Sequence, residues 1–187
     1  MPEKYEIAIV GAGPGGLSAA AHAASLDIPH ILLEKSSAVA DTIQKYQKGK
    51  HVMAEPGILP LRSEVPFAQG TREDILSGWE SSVEKCAVNI CYDSEVASIS
   101  GKCGNFEIAL ADGKKVDAAH IILGIGVQGN LRKLGIEGEV PDFVEYQLDD
   151  PLAILDEEIV VVGAGDAAIE NAVALSVQNH VTIINRK

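Results

Sequence analysis

Three observations set the fold class as α/β, with a mainly parallel sheet covered by helices. Short β-branched runs alternate with alanine-rich helical stretches. One strand–glycine turn–helix–strand block occurs twice at a fixed spacing. Apolar residues make up 47% of the 187-residue chain, charged residues 22% and aromatics only 4%, so the core is left to Ala, Gly, Ile and Val, which let helices lie close on a sheet.

The first strand is Glu6-Ile7-Ala8-Ile9-Val10, a short run of the kind a buried parallel strand shows. The glycine-rich segment Gly11-Ala12-Gly13-Pro14-Gly15-Gly16 follows, then an alanine-rich helix over 17–26, ended near Pro29. His30-Ile31-Leu32-Leu33-Glu34 reads as the second strand. Together these fill about 30 residues, the size of a βαβ unit. Residues 36–70 are punctuated by Gly49, Pro56, Gly57, Pro60, Pro66 and Gly70, and we read them as a loop-rich excursion around a ligand. Thr71 has the features of an N-cap, with Glu73 and Asp74 in the first turn of a helix running to about Lys85. A strand over 87–91 comes next. Segments 95–100, 105–111 and 115–117, separated by Gly101/Gly104 and Asp112-Gly113, predict a three-stranded meander. The strand 120–123 then returns to the sheet and ends in Gly124-Ile125-Gly126.

The repeat is specific. Glu158-Ile159-Val160-Val161-Val162 matches residues 6–10, and Gly163-Ala164-Gly165 matches 11–13, both at an offset of 152 residues. Continuing that offset puts Ala168 on Gly16, Ile183 on Ile31 and Arg186 on Glu34. One glycine motif is weak evidence; two in the same strand–helix–strand context point to two dinucleotide-binding units of Rossmann type.

Each residue in the first unit has a chemical reason. Gly11 permits the tight turn, Gly13 admits a pyrophosphate against the backbone, and Gly16 lets the helix approach the sheet. The helix N-terminus offers N–H donors and the positive end of its dipole to phosphates. Glu34, 21 residues after Gly13, stands where an acid accepts ribose hydroxyls. We therefore expect FAD on this unit. The second unit ends Asn185-Arg186-Lys187, where cations suit the 2′-phosphate of NADPH and an acid would repel it. Glu170 on its helix is expected to face the nicotinamide side.

These motifs, with the meander, Gly124-Ile125-Gly126 and the run 162–170, resemble the two-dinucleotide-domain flavoproteins of the thioredoxin-reductase type. Residues 71–76 and the segment after Gly126 are most similar to their bacilliredoxin-reductase-like (YpdA-like) branch. The resemblance implies a Rossmann-like three-layer FAD domain over 1–126, a connector over 127–157, and the start of an NAD(P)H domain over 158–187. It implies contacts to FAD from Gly11 to Gly16, Glu34, Lys35, Val96 and Gly126, and to NADPH from Gly163, Gly165, Asp166, Ala167, Arg186 and Lys187. The expected activity is hydride transfer from NADPH to FAD and on to an unidentified small-molecule or protein acceptor. Two departures stand out. The interval 127–159 holds no cysteine, so no CxxC dithiol relay is expected, and Gly15 occupies the loop position of that branch's suspected cysteine. The second unit stops on its second strand, so we expect a fragment, or a chain completed by another.

A net charge of −12 argues against nucleic acid and anionic membrane as partners. No apolar run has membrane-spanning length, no secretory leader precedes the first strand, and the three cysteines form no disulfide framework; a cytoplasmic setting is expected. The histidines form no metal-ligand pattern and no catalytic acid, base or nucleophile is legible. A homodimer is open, and the alternative function is a dinucleotide-binding redox sensor or regulatory module without turnover.

Overall fold

The computed structural model describes residues 4–54, 60–127, 132–140 and 143–185. By contact the chain divides into two units, Met1–Gln44 with His51–Asn130, and Lys45–Lys50 with Leu131–Lys187. The short segment 45–50 thus groups with the second unit although both its neighbours belong to the first.

The first unit is built on β1 (Lys4–Val10), α1 (Pro14–Ser25) and β2 (His30–Leu33), the expected βαβ block. The helix begins three residues earlier than the alanine run indicates. Gly13 is its N-cap and Pro14 its first residue, a position where proline's fixed φ is already helical and its missing N–H costs nothing. Within the excursion lie a single helical turn, α2 (Asp41–Gln44), and a two-stranded antiparallel ribbon of β3 (His51–Val52) and β4 (Gly70–Thr71). Then α3 (Arg72–Lys85) opens on the predicted cap: the Asp74 N–H donates to Thr71 Oγ1 at 3.2 Å, and the Asp74 carboxylate accepts in return from the Thr71 N–H.

The strand expected over 87–91 is reduced to β5 (Ile90–Cys91). Ala87 has φ +50°, and the Val88 N–H returns to the Val83 carbonyl at 3.0 Å, so residues 86–88 close the helix instead of extending the strand. After β6 (Val96–Lys102) and β7 (Asn105–Leu110), the third meander segment and the returning strand prove to be one strand, β8 (Lys115–Leu123). No turn-forming residue separates Asp117 from His120, so pairing continues: β8 runs antiparallel to β7 near Val116–Ala118 and parallel to β1 from Asp117 to Leu123. The six strands lie in the order β5-β2-β1-β8-β7-β6.

Two apolar clusters fill this unit. Ile9, Leu17, Leu32 and Trp79 pack with α1 and α3, while Ala8, Ile31 and Leu33 pack with Ile108, Leu110 and Ala118. Successive strand residues point to opposite faces, so neighbours such as Ala8 and Ile9 serve different clusters. The result is three layers, helices, parallel sheet and meander, and each fully buried Ile or Leu contributes about 1.5–3 kcal/mol.

The second unit carries a short 3-10 helix (Pro151–Ala153), β9 (Glu158–Val162), α4 (Asp166–Leu175) and β10 (His180–Ile184), with β9 and β10 parallel. Of its described aliphatic residues only Ala172 and Leu175 are buried, and Val160, Val162, Ile183 and Ile184 are exposed. Strands this rich in Val and Ile suit a parallel sheet covered on both faces.

Candidate functional site

The glycine segment sits where β1 ends and α1 begins. Its turn is fixed by backbone bonds on both sides: the Gly11 N–H donates to the Leu33 carbonyl at 2.8 Å and the Gly124 N–H to the Val10 carbonyl at 2.7 Å. Gly11 has φ +95°, and a Cβ there would lie 2.6 Å from the Gly124 oxygen. A Cβ on Gly16 would lie 1.8 Å from the Gly11 oxygen. Gly124 presses in from β8, its own Cβ position being 3.1 Å from both the Gly11 oxygen and the Gly16 backbone. These three glycines are demanded by backbone-on-backbone contact. Two of them are evident from the first motif. The third belongs to the Gly-x-Gly that ends β8, where sequence alone points to Gly126.

Gly13 and Gly15 differ in kind. A Cβ on Gly15 would meet nothing within 4 Å, and one on Gly13 only the Gly124 oxygen at 3.9 Å. Protein packing does not require glycine at either place. Their bareness opens space in front of the α1 N-terminus, where Gly13 supplies no side-chain cap. Ala12 is fully buried, and its carbonyl accepts from the Ala40 N–H at 2.9 Å. Pro14 and Gly15 are exposed.

Glu34 is only 4% exposed and its carboxylate grips the loop: the Ala12 N–H donates to Oε2 at 2.6 Å and the Ser36 N–H to Oε1 at 2.9 Å. A carboxylate has about four acceptor positions, so roughly two remain for another donor. Next to it, burial first, and then the charges of Glu80 and Glu34, push the Tyr92 phenol above its usual value, which keeps it a neutral hydroxyl. Lys35 is exposed beside this acid. Val96 packs on the cluster of Ala8 and Ile108, and Gly126 stands exposed at φ +64° past the end of β8.

The second unit repeats the turn. Gly163 has φ +121° and donates its N–H to the Ile184 carbonyl at 2.7 Å, as Gly11 does to Leu33. The Ile169 N–H bonds to the Gly165 carbonyl at 3.0 Å, as Leu17 bonds to Gly13 at 2.9 Å. The offset of 152 therefore holds through the loop and into the helix, but not beyond. Val10 pairs with Leu33, whereas Val162 pairs with Ile184, an offset of 151 on the second strand. This corrects the equivalences drawn from the sequence. On the second strand the spacing shortens by one residue, so Thr182 and not Ile183 matches Ile31, and Asn185 and not Arg186 takes the place of Glu34. Ten residues in α4 against twelve in α1 show where the crossover is shortened. Asn185 is exposed; Arg186 and Lys187 lie outside the described residues. Gly165 is the N-cap of α4, with Asp166 and Ala167 exposed in its first turn. Glu170 is paired with Lys50, whose ammonium also lies 5.3 Å from the Tyr46 ring centre.

Among the described residues no group of three or more His, Cys, Asp or Glu is arranged to hold a metal ion, and no helix is long and apolar enough to cross a membrane.

The family model for pyridine nucleotide-disulphide oxidoreductases matches residues 8–187. A ferredoxin–NADP reductase of Ignicoccus hospitalis is 29% identical over 180 residues, covering 96% of this chain and 55% of the relative. A thioredoxin reductase of Treponema pallidum is 28% identical over 198 residues, covering 100% and 57%. The chain thus spans little more than half the length of these curated relatives. The bacillithiol disulfide reductase of Staphylococcus aureus superposes with a TM-score of 0.84 at 22% identity, over 98% of this chain and 57% of that one.

Proposed function

The chain belongs to the pyridine nucleotide-disulphide oxidoreductase family, and on that premise we propose that it holds FAD on its first glycine turn and contributes an NADPH-binding turn to a flavin-dependent oxidoreductase. The observation that carries this is the pair of matched turns: two glycines at positive φ, each donating its N–H to the end of the neighbouring parallel strand and each leading into a helix without a side-chain cap. The curated relatives named as ferredoxin–NADP and thioredoxin reductases support the same reading.

The chain's own residues fit the cofactors. The open space at Gly13 and Gly15 admits a pyrophosphate to the α1 N-terminus, where unpaired N–H groups and the helix dipole bind anions. Glu34 holds the loop in shape and has acceptor positions left for ribose hydroxyls. Lys35, Val96 and Gly126 complete the proposed FAD contacts. In the second unit Gly163, Gly165, Asp166 and Ala167 offer the equivalent turn, and Asn185 with Arg186 and Lys187 offers amide and cationic donors for a 2′-phosphate. When bound, the nicotinamide and flavin rings supply the hydride chemistry. We assign the FAD domain to 1–126, the connector to 127–157 and the nucleotide domain to 158–187, with a cytoplasmic setting and a homodimer as parts of the proposal. The three free cysteines agree with a reducing compartment.

A visible spectrum tests the reading. Purified protein, or protein given FAD, is expected to show flavin bands that bleach with NADPH. Bands that persist would favour a binding module without turnover, and no uptake of FAD at all would overturn the assignment.

A further inference from the structure

The β6–β7 hairpin turns on Cys103 and Gly104, with Lys102 paired to Asn105. Its tip is tied down on two sides. The Gly104 N–H donates to the Ala119 carbonyl of β8 at 2.8 Å, and Lys4 Nζ of β1 donates to the Gly104 carbonyl at 3.0 Å. Gly104, at φ +87°, takes the left-handed place in this turn. The tether holds Cys103 Sγ 3.7 Å from His120 Nδ1, and His120 Nε2 stands 3.5 Å from Glu6 Oε1. All three side chains are open to solvent. The order thiol, imidazole, carboxylate is that of an activated nucleophile: with a carboxylate beside Nε2, the tautomer protonated there leaves Nδ1 to accept from the thiol. The other two thiols are placed differently: Cys91 Sγ accepts from the Ser94 hydroxyl at 3.0 Å, and Cys86 is half-buried in the packing under α3.

We propose that Cys103, His120 and Glu6 form a hydroperoxide-reactive thiol site, a reversible oxidation site separate from the dinucleotide turns. His120 takes the Cys103 proton as the sulfur attacks one peroxide oxygen. The S–O bond forms, the O–O bond breaks, and the imidazolium returns the proton to the departing oxygen, which leaves as water or an alcohol. Sulfur is oxidised by two electrons to the sulfenic acid and the peroxide is reduced by two. A departing hydroxide or alkoxide needs that proton, whereas a departing thiolate does not, and this favours a peroxide over a disulfide as the reacting electrophile. The sulfenic acid is restored by an external thiol.

The test treats the full chain with limiting hydrogen peroxide, traps sulfenic acid with a dimedone-type reagent, and reads each cysteine by peptide mass spectrometry. Cys103 is expected to be labelled at least about tenfold faster than Cys91 in the same molecules. His120→Ala should reduce Cys103 to the Cys91 rate, and free imidazole should restore it, which a merely structural loss would not allow. Glu6→Gln should slow Cys103 and Glu6→Asp should recover it. Equal labelling of Cys103 and Cys91 in the unaltered chain overturns the proposal without need of any variant. So does a His120→Ala or Glu6→Gln protein that labels Cys103 at the original rate.

Discussion

Glu34 satisfies two backbone N–H groups with one carboxylate, and each hydrogen bond to a charged group is worth about 1.5–3 kcal/mol. Glu34→Ala therefore removes the loop's clasp as well as any ribose contact. We expect a stability loss of about 2–4 kcal/mol, read as a fall in Tm of about 5–10 °C, together with weaker FAD retention. Glu34→Arg should release FAD still more readily, and an unchanged FAD content in either protein would remove the acid from its proposed role. The glycines make a sharper pair. Gly16→Ala has no room for its Cβ and should fail to fold or unfold well below the parent temperature. Gly15→Ala has room, lies in a helix, and should leave the apoprotein as stable or stabilised by up to about 1 kcal/mol while FAD affinity falls. Loss of folding in Gly15→Ala, or full FAD affinity, would contradict the cradle. Tyr92 carries a pH signature of its own. Its phenol ionises above the usual value in the folded state, so its stabilising contribution is complete below about pH 10 and is lost as pH rises through the folded value. An ultraviolet titration should show late tyrosines, Tyr92 and Tyr146, and Tyr92→Phe should reduce that late step while Tyr146 keeps its share.

At the scale of the element, α3 depends on a capping box whose Thr71 cap is legible from sequence and whose return bond to Asp74 the structure adds, and Thr71→Ala should cost about 1 kcal/mol in denaturant unfolding. The βαβ core, both glycine turns, the α3 start and the meander could all be read from residue pattern, because each has a local signal: β-branched runs, Gly spacing, a cap, a turn pair. What could not be read depended on partners distant in sequence. β8 is continuous because two different strands pair with it, and the segment 115–123 carries no mark of that by itself. Gly124 gains its meaning only against Gly11 and Gly16. The one-residue slip that makes Asn185 the counterpart of Glu34 in the repeat goes with the shorter helix, and a constant offset conceals it. The Cys103–His120–Glu6 cluster joins residues from a turn and two strands, which no spacing rule connects.

Across the whole molecule the two units differ in how much they bury. The first has two apolar clusters, and the second buries only Ala172 and Leu175 among its described aliphatic residues. Amides in β9 and β10 should therefore exchange with deuterium well before those of β1 and β8, because opening them exposes little further apolar surface. Equal protection of the two sheets would show that the second unit is held by more than its own contacts. The junction of Gly11, Gly16 and Gly124 has a temporal consequence as well. The first glycine turn lies near the start of this sequence, yet its third wall is 113 residues downstream of Gly11. At ribosomal rates of roughly 5–20 residues per second, the turn waits about 6–23 s for that wall to be made. A nascent chain halted before β8 would carry the whole glycine motif and still lack the surface that shapes it, so cofactor capture belongs to the end of this unit's synthesis and not to its beginning.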